Sequence, residues 1–109
     1  DDNSPFKWLQ AFEEPELAFI LIQPDVVLGN YNLRIPQGDY HSLGVEKKDD
    51  LLIFTIVTIP EDPSDMTTNL QGPIILNPKN QKGKQAISLD DEHTVKHRII
   101  DSLKQAAGA

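Results

Sequence analysis

The sequence predicts a small, mostly β domain built from antiparallel strands, and three observations carry that reading. Residues 51–89 contain three apolar runs, 51–59, 74–76 and 86–89, separated by Pro, Gly and Asn. Their β-branched side chains suit a pleated, half-buried surface, and Pro and Gly interrupt it. Residues 6–12 alternate large apolar with polar or small side chains, the period of a strand with one wet face. Apolar residues at helical spacing appear only near the end, from His93 onward.

Taken in order, residues 6–12 form the first strand, with Trp8 as a core anchor. Glu13-Glu14-Pro15-Glu16 supplies a turn, because Pro15 fixes its own φ and pushes Glu14 toward extended geometry. The run LAFILI, residues 17–22, returns as a second strand, more fully buried than the first, and stops at Gln23-Pro24. After Gly29-Asn30, residues 31–35 alternate again as a strand with one wet face. Pro36 to Asp39 is a turn, and residues 39–44 make one helical turn with Asp39 as N-cap and Gly44 as left-handed terminator.

Charged residues 46–50 lead into the long central strand at 51–59, which ends at Pro60. Gly72-Pro73 opens the short run 74–76 and Asn77-Pro78 closes it. The polar loop 79–84 forms a hairpin tip in which Gly83 takes positive φ, and a last strand follows at 86–89. From His93, the residues Val95, Ile99, Ile100, Leu103 and Ala107 fall on one stripe of an amphipathic helix. Asp90 or Asp91 caps its start and Gly108 marks its end. The helix packs on its own sheet, or serves as a tail that docks on a partner; both need the same pattern.

A chain of 109 residues fits one domain with one modest core. Cysteine is absent, which removes disulfides, thiolate catalysis and Cys-ligated zinc. No apolar run approaches the roughly 20 residues needed to span a bilayer, so no membrane partner is expected. The net charge is −7, and it is uneven: residues 1–50 hold ten Asp/Glu against four Lys/Arg, residues 51–109 seven against six. Such a surface repels phosphate and favours basic partners, so no direct nucleic-acid contact is expected. It also fits a charge kept only for solubility.

Catalytic patterns are missing. His93 and His97 stand four apart, but Glu92 precedes the first His, so the metalloprotease pattern HExxH is not met and no third ligand is evident. We expect no metal and no cofactor. GPIILN and KGK lack the spacing of a phosphate-binding loop. Lys79, Lys82 and Lys84 gather on the expected hairpin tip, where a solvated turn explains them better than an anion site.

Four stretches together resemble the FliW family of bacterial flagellar assembly factors. They are LQAFEEPELAFILIQP at 9–24, FTIVTIP at 54–60, MTTNLQGPIILNPKNQKGKQ at 66–85 and EHTVKHRI at 92–99. The block from Asn69 to Gln85 is the most specific. The last stretch departs from the family pattern, with Lys96-His97-Arg98 in place of an Arg-His pair and His93 in place of a Tyr. Family members carry further residues ahead of the point where this chain starts, so residues 1–109 are expected to be one FliW-like domain without an N-terminal segment, with 90–109 as helix or tail.

The resemblance implies a small antiparallel β-barrel-like domain with short helical turns, cytoplasmic and non-enzymatic. It implies binding to CsrA, the RNA-binding carbon storage regulator, which relieves repression of flagellin translation, with flagellin as the competing second ligand. A monomer is expected. Blocking of the RNA site on CsrA and a bias of its conformation from beside that site are both compatible with this reading. The expected contacts lie on the signature loops, Asn69, Gln71, Asn77, Lys82, Gly83 and Gln85, with the tail residues Val95, Ile99 and Leu103 as further contacts. Against this stands a flagellin-binding, chaperone-like module without regulatory output. For Asn69 and Asn77, satisfaction of turn backbone groups is an equal alternative.

Overall fold

A computed structural model describes residues 5–10, 18–29, 31–47 and 50–101. Within them the order is β1 (Phe6–Gln10), β2 (Ala18–Ile22), α1 (Pro24–Val27), α2 (Gln37–Ser42), β3 (Leu52–Thr58), a 3-10 turn (Pro63–Asp65), β4 (Thr67–Thr68), β5 (Ile74–Asn77), β6 (Lys82–Gln85) and β7 (His97–Arg98). The expected turn at 13–16 and the stripe residues Leu103 and Ala107 lie outside the described residues.

All pairings are antiparallel, and the sheet runs β1-β2-β3-β4-β7, with β5 on β3 and β6 on β5. Among the described residues the sheet does not close, so the barrel-like description is a loose one. β3 is its spine. Its later half takes β2 on one side, Ile22 facing Thr55 and Ile20 facing Val57, and β4 on the other, Val57 facing Thr68. Its earlier half takes β5, Phe54 facing Ile74. Three steps on β3, from 57 to 54, thus correspond to six on the partner side, from 68 to 74. The surplus is absorbed in an excursion over residues 69–73, a bulge-like device that turns the chain outward.

Two apolar clusters fill the interior. Ile22, Val27, Val57, Leu70 and Ile99 form one. Leu33, Ile35, Leu43, Leu51, Ile75 and Ala86 form the other, and Tyr31 packs against both. Fully buried Thr55 and Thr68 have hydroxyls 2.7 Å apart, and the Ile22 and Ile56 carbonyls lie within reach, so a polar pair inside the sheet is satisfied.

Several elements differ from expectation. Trp8 is 74% exposed instead of a core anchor: it sits on the edge strand, and packing on that face ends at Phe6 and Ile20. Residues 31–35 keep their alternation, with Leu33 and Ile35 buried and Asn32 and Arg34 exposed, yet they join no ladder among the described residues. A period of two reports an extended chain on a core, whereas a strand also needs a neighbour. Helix α2 starts at Gln37 with Pro36 at its N-cap, three residues before the expected cap Asp39. Its end is as expected: Gly44 has φ +76, its N–H donates to the His41 carbonyl, and the Val45 N–H reaches back to Tyr40 at 3.1 Å. Both closing bonds of a left-handed helix terminus are present.

The hairpin after β5 is shifted. Its second strand is Lys82–Gln85, not 86–89, and the left-handed residue is Gln81, φ 61, not Gly83. Asn side chains explain the tighter tip: the Asn77 Oδ1 accepts from Lys79 N–H and the Asn80 Oδ1 from Lys82 N–H, each at 3.0 Å. Gly83 is required for closeness. It faces Leu76 across the ladder, and a Cβ there would collide with the Leu76 Cδ2 and stand 3.2 Å from the Ile75 carbonyl.

The C-terminal stripe is also corrected. Residues 93–98 are not helical; β7 pairs with β4, and the helical turn begins only at residue 99. Ile99 is fully buried whereas Val95 is 53% exposed, so the two do not share a face.

Candidate partner-binding surface

The excursion at 69–73 is built by one side chain. The Asn69 Oδ1 accepts from the N–H groups of both Gln71 and Gly72, at 3.0 and 2.9 Å, which ties the turn to its own first residue. The Gln85 Nε2 donates to the Gly72 carbonyl at 2.9 Å, fastening the turn to β6. Gly72 permits that approach, since a Cβ would lie 2.8 Å from the Gln85 Nε2. The result is an open groove of about 330 Å³ lined by Asn69, Gln71, Gly72, Gln85, Ala86 and Ile87. A second groove, of about 310 Å³, shares Gln85, Ala86 and Ile87 and adds Pro36, Asp39, Lys84 and Leu89.

Of the residues expected at a partner face, Asn69, Gln71 and Gln85 meet at the first groove. The others separate. Asn77 is buried, and its Nδ2 donates to the Leu43 carbonyl at 2.7 Å beside Asn80, so it clamps the loop after α2 onto the hairpin. Lys82 is exposed at the start of β6, and Gly83 is there to pack on Leu76. Lys84 pairs with Asp39 at 2.6 Å, which leaves the lysine cluster less charged than its sequence suggests. Ile99 belongs to the core, Val95 lies apart on the exposed chain, and Leu103 is outside the described residues.

Sequence reasoning missed Ile87 and Leu89. The run 86–89 is expected as a strand with neither face assigned; it is instead extended chain after β6, with Ala86 and Ser88 buried and Ile87 and Leu89 68% and 55% exposed. The alternation was legible, but a period of two does not say which face is inside.

One buried polar group resembles catalytic machinery. The Ser88 Oγ lies 2.6 Å from the His93 Nδ1, and the His93 Nε2 lies 3.6 Å from the Asp90 Oδ2. A nucleophile needs its oxygen open to a reacting atom. Ser88 is buried, and its hydroxyl also accepts from the Asp90 N–H at 3.2 Å. His93 stacks on Tyr31 with ring centroids 4.3 Å apart, and the Tyr31 hydroxyl donates to the Leu70 carbonyl at 2.9 Å. Burial, helped by the Asp90 charge, pushes the Tyr31 phenol up to about 12. The set is a fastener that holds residues 88–94 against the core. Among the described residues no three His, Asp or Glu converge as metal ligands, and no helix is long and apolar enough to cross a membrane.

Comparison with known proteins now assigns the chain. The model of the family described as FliW protein matches residues 1–99. The flagellar assembly factor FliW of Leptospira biflexa serovar Patoc is 50% identical over 104 residues, covering 94% of this chain and 68% of that protein. That of Thermoanaerobacter pseudethanolicus is 46% identical over 105 residues, covering 96% and 70%. A crystal structure of the flagellar assembly factor FliW superposes with a TM-score of 0.83 at 30% identity, covering 91% of this chain and 70% of that one. With a shared antiparallel sheet and identity of this extent over nearly its whole length, the chain belongs to the FliW family of flagellar assembly factors.

Proposed function

We propose that this protein is a cytoplasmic, non-catalytic antagonist: it binds the translational regulator CsrA and relieves repression of flagellin translation, and flagellin competes as its second ligand. The observation that carries this reading is the meeting of Asn69, Gln71 and Gln85 at one open groove on a molecule of net charge −7. Amide side chains at a groove give directional hydrogen bonds to a partner backbone, and the acidic field draws an RNA-binding protein, whose surface is basic. Gln71 is exposed and fixed at its backbone by Asn69, so it is presented to a partner at little ordering cost.

The test is a titration of a CsrA–RNA complex with this protein, read by RNA mobility. Release of RNA, reversed by added flagellin, is the expected result. RNA that stays bound at saturating protein would refute the antagonist. Retention of flagellin without CsrA in a pull-down would instead support a chaperone-like module.

A further inference from the structure

Ile87 and Leu89 stand on a rigid support. Around them the Ala86 N–H donates to the Pro73 carbonyl at 2.8 Å, the Ser88 N–H to Gln71 and the Leu89 N–H to Arg34, each at 2.7 Å. Ala86 and Ser88 point inward, and the extended period sends Ile87 and Leu89 to the same outer side. Ile87 lines both grooves, together with Gln85 and Ala86. This is an apolar ridge held in place before any partner arrives.

The charge beside it is one-sided. Asp90, Asp91 and Glu92 follow directly, with Asp91 and Glu92 exposed. Arg34, bonded to the Leu89 backbone, offsets only one of the three. Lys84 is engaged by Asp39. Lys82 lies five residues upstream of Ile87, about 16 Å along an extended chain. The Leu89 end of the ridge is therefore its acidic end.

We infer that the ridge Ile87–Leu89, with the acidic run after it, is the anchor for a basic protein surface that presents an apolar side chain ringed by Lys or Arg. The inference rests on the proposed function and deepens it, adding the anchor and the partner chemistry to the amide groove. An apolar pair alone would fit many proteins. The adjoining carboxylates select a basic one, because complementary fields speed encounter and like charges reject wrong partners. They also repel bare nucleic acid.

The test uses the full chain and purified CsrA as probe, with affinity measured by calorimetry. Ile87→Ser combined with Leu89→Ser is expected to weaken binding about 30-fold, the loss typical of a central anchor. Asp91→Asn combined with Glu92→Gln is expected to weaken it about 3-fold or more and to flatten its salt dependence between about 0.05 and about 0.3 M. All four residues are exposed, and circular dichroism is expected to give an unchanged thermal midpoint for both variants. Wild-type affinity in the double Ser variant overturns the anchor and leaves the antagonist reading standing. A charge variant with wild-type salt dependence overturns the basic-partner assignment. Absence of CsrA binding by the wild-type protein overturns the antagonist reading, and this inference falls with it.

Discussion

Single residues here divide sharply between those that hold the fold and those left free. Gly83 illustrates the first kind. Its sequence context suggests a turn glycine, but it lies in β6 facing Leu76, and a methyl group there would force the Leu76 side chain aside and press on the Ile75 carbonyl. Gly83→Ala is expected to destabilise by about 1–3 kcal/mol through overpacking, read from a urea unfolding curve. Tyr31 gives a pH test. Its folded pKa of about 12 stands above the ordinary 10.0, so the folded state holds the phenol proton more tightly than the unfolded chain does. The stabilisation is complete below pH 10 and is lost as pH rises from 10 toward 12. Unfolding curves should therefore shift to lower denaturant over that window, and Tyr31→Phe should flatten the shift. Tyr40, also raised by burial and by Asp39, leaves a residual slope. The Phe variant also loses the bond to Leu70, about 1 kcal/mol of stability at neutral pH.

At the scale of elements, the C-terminal region decides between strand and helix. Val95, Ile99 and Ile100 have helical spacing, yet β7 supplies a partner for β4 and draws residues 97 and 98 into the sheet. The Ile99 N–H then donates to the Met66 carbonyl, locking Ile99 into the core. Ile99→Ala is expected to cost about 2–5 kcal/mol, whereas Val95→Ala should change stability by less than about 0.5 kcal/mol. Equal effects would point to the helical stripe instead. The β1–β2 hairpin, β3 and β5 were legible because alternation, β-branched residues and Pro boundaries agree there. What escaped depended on long-range choices: the partner of β4, the face of residues 86–89, and Asn77 and Asn80 as side-chain clamps that shorten a turn. The site was half legible. Asn69, Gln71 and Gln85 are 16 positions apart at most and meet only because the excursion at 69–73 folds back on β6. Ile87, 68% exposed, was not among the expected contacts.

At the largest scale, the described residues form an open antiparallel sheet with two small cores, the chain is acidic, and amides and Ile87 meet at one groove with an acidic run following in sequence. Neither core includes Gln71 or Ile87, so the scaffold leaves that groove free to serve a partner. The family assignment sets the biological setting as flagellar assembly. We propose that the groove of Asn69, Gln71 and Gln85 is where CsrA binds. It is tested most directly by the Kd of CsrA for the wild-type protein and for Gln71→Arg, which fills the groove and adds a charge of the same sign as the partner. The expected result is affinity weakened about 10-fold or more with an unchanged thermal midpoint. An unchanged Kd would contradict the claim.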